Sequence, residues 1–318
     1  MKLLTFKLQD AEYLGALTNA GIVNLSAAAP EDVAFSSMQH FIEAGQSALD
    51  RAYKLISSDL VMLSVDQVEW LSPLPQPIQI RDCLGFEIHL KNCFESALKL
   101  SAMNAEDPVI AEQELRASGR FAVPEVWYQQ PLYYKANRFS VAHSGKEIEW
   151  PDYSNIMDFE LELACVIGKK GRDIDKTHAE DHIFGYTIYN DFSARDAQML
   201  ESPGMLGPAK GKDFDDSIIL GPVIVTTDEL SDPYNLRMQA RVNGETWCDS
   251  NSNTIYWTFS DMIAHISNSE TIYPGEVIGS GTVGLGCGLE HLRFLNDGDV
   301  VELEIENIGV ISNKVIRR

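Results

Sequence analysis

The chain has 318 residues, of which 45% are hydrophobic and 23% are charged, and this apolar content excludes a disordered protein because it can form a sizeable core. A chain of this length forms one large domain or a main domain with a smaller partner. The 25 Lys and Arg residues are outnumbered by 47 Asp and Glu residues, so the formal net charge is −22. No basic stripe is visible, which makes nucleic acid a poor candidate partner. An acidic surface also repels anionic substrates unless cations or a metal ion gather locally.

The N-terminal sequence and the cysteines predict a cytoplasmic protein. The start, MKLLTFKLQDAEYLGAL, scatters charges through its apolar residues and does not have the pattern of a secretory signal. No segment approaches the roughly 18 uninterrupted apolar residues of a membrane span. The five cysteines are odd in number and lack CxxC spacing, which argues against a disulfide framework and a structural zinc site.

Two regions are predicted in chain order. Residues 1–25 contain short alternating runs broken by turn residues, which predict a small antiparallel meander. Residues 34–58 then carry apolar side chains at roughly helical spacing. The proline-rich segment Ser72–Pro77 disfavours both helix and central strand. We therefore predict a small N-terminal α/β module over residues 1–72 and a larger domain over residues 73–318.

The larger domain is predicted to be α+β and dominated by strands. Residues 83–103 place apolar side chains at helical spacing. The segments beyond it that predict strands are short, β-rich and separated by turns: Glu160–Ile167, Gly185–Tyr189, Ile218–Val225, Leu236–Val242, Thr271–Ile278 and Val300–Ile305. Helices are few in this half of the chain, which favours a β-dominated α+β fold.

The first candidate site lies in the segment from Asp158 to Gly168. In a strand, Glu160 and Glu162 project from the same face. Two carboxylates so placed suit a hard cation such as Mg²⁺ or Ca²⁺, which prefers oxygen ligands. A strand with one solvated polar face explains the same pattern, and the pair taken alone favours that interpretation over a metal site.

The segments that follow add residues of the same chemistry. Asp191 comes directly after a strand-like run and can supply a third oxygen ligand, while Arg195 and Gln198 share a face of any helical turn there. Lys212 lies in a Gly/Pro-rich loop, where a lysine can approach a ligand. Each cluster alone is compatible with turn chemistry and surface charge, but their combination favours a functional site.

Three further features of the sequence bear on a functional site. Asp82 and His89 form a possible pair, although this segment taken alone favours a partly buried helix histidine at His89. His178 and His182 are four residues apart, but their glutamate is not where the HExxH motif requires it, so we interpret the segment as an exposed helix start. Nucleophile-elbow, phosphate-loop and dinucleotide-binding motifs are absent from the sequence.

Together these segments resemble the fumarylacetoacetate hydrolase superfamily, in particular bacterial-type members with a small N-terminal domain. The resemblance runs from about Leu71 to the C-terminus. It is carried by the motifs Glu160-x-Glu162, Asn190-Asp191-Phe-Ser-Ala-Arg195, Gly211-Lys212-Asp-Phe and Gly281-Thr282. It implies a mixed β-roll catalytic domain, usually a homodimer, with one divalent cation per subunit. Mg²⁺ is the expected ion, with Mn²⁺ or Ca²⁺ as alternatives.

The resemblance also implies roles for matching residues. The metal-binding carboxylates of the family match Glu160, Glu162, Asp191 and Asp82. The family's water-activating histidine and the glutamate that orients it match His89 and Glu290. The substrate and oxyanion contacts match Arg195, Gln198, Lys212, Thr282 and Tyr134, and Lys135 is a further candidate cation for the substrate.

The resulting hypothesis is a metal-dependent hydrolase that cleaves a carbon–carbon bond. Its substrate is a small anionic β-diketone, acylpyruvate or diketo-deoxy acid, with chelation polarising the carbonyl and His89 activating water. The same metal site can instead serve decarboxylase, isomerase, hydratase or lyase chemistry on a 2-oxo acid. A non-catalytic, metal-stabilised binding protein is a third possibility. Residues 91–128 match no member of known substrate and are predicted to form a lid, so the substrate stays open.

Overall fold

A computed structural model describes residues 1–58, 62–103 and 105–318. The strands are β1 (Lys2–Leu8), β2 (Ala11–Thr18), β3 (Gly21–Asn24), β4 (Met62–Leu63), β5 (Glu69–Trp70), β6 (Gln79–Cys83), β7 (Tyr133–Ala136), β8 (Val141–Ala142), β9 (Glu147–Glu149), β10 (Met157–Asp158), β11 (Leu161–Ile167), β12 (Gly171–Arg172), β13 (Ile183–Asp191), β14 (Ser193–Ala194), β15 (Ile218–Thr226), β16 (Arg237–Val242), β17 (Glu245–Asn251), β18 (Thr271–Ile272), β19 (Glu276–Gly279), β20 (Val300–Ile305) and β21 (Gly309–Ile316). The α-helices are α1 (Leu25–Ala28), α2 (Met38–Ala44), α3 (Gln46–Ile56), α4 (Glu87–Met103), α5 (Pro108–Ala117), α6 (Glu125–Gln129), α7 (Arg195–Glu201) and α8 (Phe259–Ser267). Short 3₁₀ helices lie at Val33–Phe35, Val65–Gln67, Lys176–His182, Ser202–Gly204, Ser252–Thr254 and Leu289–His291.

The N-terminal region forms the predicted meander. Strands β1, β2 and β3 pair in antiparallel order. The helical segment predicted over residues 34–58 is divided into α2 and α3 at Gly45, whose φ of 60° lies in the left-handed region that glycine adopts at low cost. Both helices bury one apolar face, including Phe41 and Leu49, in a core shared with β1 and β2.

The meander extends the large sheet of the rest of the chain. Strand β1 pairs antiparallel with β15, with Lys2 opposite Val225. The strand order is β4-β3-β2-β1-β15-β13-β11-β19-β6-β7. The sheet therefore crosses the predicted boundary at residue 72, and the division into two domains stays a prediction.

A second sheet completes the core. Its order is β17-β16-β20-β21-β9, and side chains such as Met238 and Leu303 share one buried cluster with Phe159 and Ile188. The predicted strand over residues 271–278 is divided into β18 and β19 by a turn at Pro274 and Gly275. Strands outnumber helices in the described parts of the chain, so the prediction of a β-dominated α+β fold is confirmed. No helix in the described parts of the chain is both long and apolar enough to cross a membrane.

The register of the large sheet brings the ends of several strands together. Leu161 of β11 lies opposite Asn190 of β13, and Gly279 of β19 lies opposite Asp82 of β6. Asp82 is thus on a strand, and the following helix begins only at Glu87. The polar residues predicted from separate segments therefore meet at one edge of the fold.

Candidate active site

A cluster of buried carboxylates lies at this edge. One carboxylate oxygen from each of Asp82, Glu160 and Glu162 falls within 4.8 Å of the others. Asp82 and Glu160 are at most 6% exposed and Glu162 is fully buried. Strand spacing explains why Glu160 and Glu162 point the same way, whereas the pairing of β6 with β19 brings Asp82 to them. The structure thus unites three of the four predicted metal carboxylates.

The fourth carboxylate, Asp191, adjoins this cluster through shared partners. Its Oδ2 accepts hydrogen bonds from Tyr134 Oη at 2.6 Å and from Lys212 Nζ at 2.7 Å. Lys212 Nζ also lies 2.5 Å from Glu160 Oε2. Because Lys212 is only 4% exposed, it is held between these two carboxylates inside the fold.

The carboxylates are not neutralised by this lysine alone. Asp82 Oδ1 and Asp191 Oδ1 are buried and have no hydrogen-bond donor. Burial and the charge of Asp191 raise the pKa of Asp82 to about 8, and burial and Asp82 raise the pKa of Glu162 well above its usual value. Buried carboxylates of like charge with unpaired oxygens repel each other, so the cluster must take up a cation or protons.

Glu160 has the opposite electrostatic environment. Burial disfavours its charge, but Lys212 and Arg195 lower the pKa of Glu160 to about 2. Arg195 Nη1 lies 2.7 Å from Glu160 Oε1. The second terminal nitrogen of this arginine, Nη2, is buried and has no acceptor. Arg195 therefore keeps one strong donor free beside the carboxylates.

His89, which lines the same cavity as Asp82, Glu160 and Glu162, forms a histidine–carboxylate pair with Glu290. His89, in the first turn of α4, is 6% exposed, and its Nδ1 lies 2.8 Å from Glu290 Oε1. Asn92 Nδ2 and the Leu285 backbone N–H each donate to Glu290 Oε2 at 2.8 Å. Burial lowers the pKa of His89, but Glu290 outweighs burial and raises it to about 10. The predicted pairing of His89 with Glu290 is present in the structure.

Asp158 is a residue to which the sequence assigned no role. Its Oδ2 accepts a hydrogen bond from Arg195 Nε at 2.8 Å, and its two oxygens accept from the backbone N–H groups of Gly288 at 2.7 Å and Leu289 at 2.9 Å. A fully buried carboxylate thus fixes Arg195 and the loop that carries Glu290. The sequence could have indicated Asp158, because it lies two residues before Glu160 and side chains two apart on an extended chain share a face.

Three predicted substrate contacts lie around the carboxylates. Gln198 Oε1 accepts from Arg195 Nη1 at 2.9 Å, and Thr282 Oγ1 donates to Glu162 Oε1 at 3.4 Å. Tyr134 contacts Asp191 as described above. All three line the same cavity of about 470 Å³ as Asp82, His89, Glu160, Glu162, Arg195 and Lys212.

Lys135 lies apart from the other predicted substrate contacts. It is exposed, and its partner across the strand pair is Arg81, whereas Asp82 lies opposite Tyr134. Tyr134 lines the cavity and Lys135 is not among its lining residues, so the structure gives no support to the predicted contact between Lys135 and the substrate.

Two other sequence features are resolved by the fold. His178 is exposed and lies 3.4 Å from Asp181, while His182 Nδ1 lies 2.8 Å from the Lys169 carbonyl oxygen, so they form no shared site.

In the predicted lid segment, α4 forms a wall of the cavity through side chains that include Phe94. Helix α5 buries no side chain and lies outside α4.

Comparisons with known proteins test the resemblance. Residues 105–316 match the family model described as fumarylacetoacetate (FAA) hydrolase C-terminal. The human mitochondrial protein named oxaloacetate tautomerase FAHD2A is 33% identical over 321 residues, which cover 99% of this chain and 92% of that protein. The chain belongs to the fumarylacetoacetate hydrolase family. The predicted family is confirmed, and the chain is an enzyme of this family.

Two solved structures share the whole fold of the chain. Fumarylacetoacetate hydrolase from Exiguobacterium antarcticum is 24% identical, with a TM-score of 0.73 and 100% of both chains covered. Maleylpyruvate hydrolase from Sphingobium sp. SYK-6, solved with manganese(II) and pyruvate, is 21% identical, with a TM-score of 0.73 and coverage of 100% of this chain and 99% of that one. At these identities the likeness extends to the fold.

Proposed function

We propose that the chain is a divalent-cation-dependent enzyme that interconverts the keto and enol forms of a small 2-oxo dicarboxylic acid such as oxaloacetate. The observation that carries this proposal is a single cavity lined by three side chains: His89, which is paired with Glu290, Asp82 with its unpaired carboxylate oxygen, and Arg195 with its free donor. The named activity of the human relative supports the reaction type.

The carboxylate cluster fits a divalent cation. Two unpaired acceptors, Asp82 Oδ1 and Asp191 Oδ1, are buried there, and a side chain at Gly279 would collide with Asp82 Oδ1 and Glu162 Oε2. We assign Asp82, Glu160, Glu162 and Asp191 as its ligands, because hard cations prefer such oxygens. When bound, the cation supplies polarisation of the 2-oxo group. Mg²⁺ stays the prediction, and the manganese(II) held by the Sphingobium enzyme supports Mn²⁺ as the alternative.

The cationic side chains orient the substrate. Arg195 Nη2 is a buried donor without an acceptor, so a substrate carboxylate would satisfy it with a charge-assisted hydrogen bond. Asp158 and Gln198 hold the guanidinium in place at 2.8 and 2.9 Å. Lys212 and Thr282 lie beside the carboxylates that we assign as ligands, where they can donate to the enol oxygen.

His89 moves the proton in this proposal. Enolisation requires that a proton leave the carbon next to the carbonyl, and the reverse reaction returns it. The pKa of His89 is about 10 in the cation-free chain, so the ring is charged at neutral pH. That pKa falls when positive charge enters the carboxylate cluster, because like charges disfavour the imidazolium. Glu290 then holds the ring by Nδ1, which leaves Nε2 to accept the proton.

Hydrolytic cleavage of a carbon–carbon bond, the activity first predicted from the sequence, is the second candidate. The same His89–Glu290 pair can remove a proton from water. A cavity of about 470 Å³ also falls in the range that holds ligands larger than a four-carbon acid. Both reactions share an enol or enolate, so the same carboxylates and cations would serve either.

The experiment compares the two activities in one preparation. Oxaloacetate is supplied as the enol, and the loss of its ultraviolet absorbance is followed with Mn²⁺, with Mg²⁺ and with a chelator. Acylpyruvates are assayed in parallel for release of pyruvate. Cation-dependent acceleration with oxaloacetate supports the tautomerase, and pyruvate release supports the hydrolase. Thermal stabilisation by the cation without turnover of either substrate would leave the non-catalytic alternative. The homodimer and the cytoplasmic location stay predictions.

A further inference from the structure

Two cysteines that the proposed reaction does not use lie beside the His89–Glu290 pair. Cys93 is one helical turn beyond His89 on α4, and its Sγ lies 3.7 Å from both ring nitrogens. Cys287 is in the loop that carries Glu290, with Sγ 3.6 Å from Glu290 Oε1. The two sulfur atoms lie within 4.8 Å of each other. The helix and loop that assemble the pair therefore also hold two neighbouring thiols.

The two thiols differ in access. Cys93 is partly exposed and lines the cavity, whereas Cys287 is fully buried behind it. An oxidant that enters the cavity therefore meets Cys93 first. A second thiol next to the first oxidised sulfur is the usual arrangement of a redox-sensitive pair.

A soft metal ion fits this cluster less well. Cys93 Sγ is equidistant from the two ring nitrogens of His89, so it lies along the lone-pair direction of neither nitrogen. A histidine ligand binds metal through a nitrogen lone pair in the ring plane, and Nδ1 is already paired with Glu290. Reaction between the two thiols requires no contribution from the ring.

We propose that Cys93 and Cys287 form a reversible disulfide that inactivates the enzyme when a peroxide is present. The Cys93 sulfur attacks hydrogen peroxide, the O–O bond breaks, and sulfenic acid and one water form. The Cys287 sulfur then displaces the hydroxyl group, which leaves as a second water when the S–S bond forms. The two thiols are oxidised by two electrons in total and one peroxide is reduced.

The disulfide would disturb the neighbouring pair. The sulfurs must approach from within 4.8 Å to about 2.05 Å, which draws α4 and the Glu290 loop together. It also removes the Cys287 thiol from Glu290. The geometry of the 2.8 Å His89–Glu290 contact would change as a result. The expected loss of activity rests on the proposed function, whereas formation of the disulfide does not.

The test uses the full chain loaded with Mn²⁺ and treated with hydrogen peroxide. We expect a linked Cys93–Cys287 peptide in non-reducing mass mapping, with activity falling at least tenfold and returning after dithiothreitol. Cys93→Ala should keep its basal activity and show no reversible loss. In Cys287→Ala, dimedone should label Cys93. Cys165→Ala, which changes a buried thiol on β11, is the matched control and should respond like the unmodified chain.

Other results of this experiment would overturn either the disulfide switch or the proposed function. Absence of the linked peptide, or reversible loss that persists in Cys93→Ala, would overturn the disulfide switch. A linked peptide with undiminished activity would overturn its effect on the enzyme. If the untreated chain turns over neither oxaloacetate nor acylpyruvates and the peptide still forms, the proposed function fails while the modification site stands.

Discussion

The two halves of the site are built in different ways. The carboxylate half lies on strands of one sheet, with Asp191 on β13, Glu162 on the adjacent β11 and Asp82 on β6, which β19 separates from β11, so backbone ladders fix their positions. The base half joins His89 on α4 to Glu290, 201 residues later, through side-chain contacts. The first half therefore tolerates side-chain changes without losing its shape, whereas each contact of the second half contributes to its geometry.

The largest expected effect is in the carboxylate half. Glu162→Gln should reduce activity to the uncatalysed background and abolish Mn²⁺ binding in calorimetry. The cation-free variant should be at least as resistant to thermal unfolding as the unmodified chain, because a buried carboxylate beside Asp82 is replaced by a neutral amide. A strong loss of thermal stability would show that Glu162 contributes to folding rather than to cation binding.

A change in the base half should separate proton transfer from cation binding. His89→Ala is expected to lower kcat by about 10²–10⁴-fold while Mn²⁺ affinity is kept, because general acid–base transfer is lost and the carboxylates are intact. Steady-state kinetics and calorimetry measure both quantities. His178→Ala, an exposed histidine outside the cavity, is the control and should match the unmodified chain. Near-normal kcat in His89→Ala would remove His89 from the mechanism.

Asp158 connects the two halves, and its loss should affect both. Asp158→Asn is expected to lower kcat/KM by about 10–100-fold, the range typical of groups that orient a site. Arg195 loses one of its two carboxylate partners and keeps Glu160, so KM should rise. The amide has one acceptor oxygen where the carboxylate has two, which weakens its hold on the Glu290 loop, so the pH profile of kcat should shift. Asp261→Asn, which changes a helix-capping carboxylate paired with Lys176, is the control. Loss of stability with unaltered kinetics would make Asp158 a purely structural residue.

The pH dependence of cation binding is a smaller effect. Burial and Asp191 raise the pKa of Asp82 from 3.8 to about 8. In the cation-free chain, the raised pKa of Asp82 stabilises the folded state below about pH 3.8. This contribution to stability is lost as the pH rises through about 8. Because the cation and the proton compete, Mn²⁺ should raise Tm more at about pH 8.5 than at about pH 6. Asp82→Asn should reduce that difference. Equal Tm shifts of the unmodified chain at both pH values would contradict competition between the cation and the proton at Asp82.

The smallest effect is expected at Lys135. Its side chain is exposed, so Lys135→Ala should alter KM by less than about twofold, within the range of surface substitutions. Lys212→Ala, measured alongside, should reduce kcat/KM strongly because Lys212 is buried between Glu160 and Asp191. A large effect of Lys135→Ala would require a different orientation of β7.

The sequence by itself determined the local parts of this protein. Strand alternation placed Glu160 and Glu162 on one face, and helical spacing predicted the helix that carries His89, because both periodicities are local properties of the backbone. The motif resemblance identified the family and all four carboxylates. These inferences needed no knowledge of which strands are neighbours.

Only the tertiary structure decided how those parts meet. The pairing of β6 with β7 placed Tyr134 opposite Asp82 and Lys135 opposite Arg81, since register is fixed by contacts distant in sequence. The same kind of contact placed Asp158 beneath Arg195 and the Glu290 loop, and Cys93 beside Cys287. No local pattern specifies such contacts, because they form only when segments distant in the sequence pack into one core.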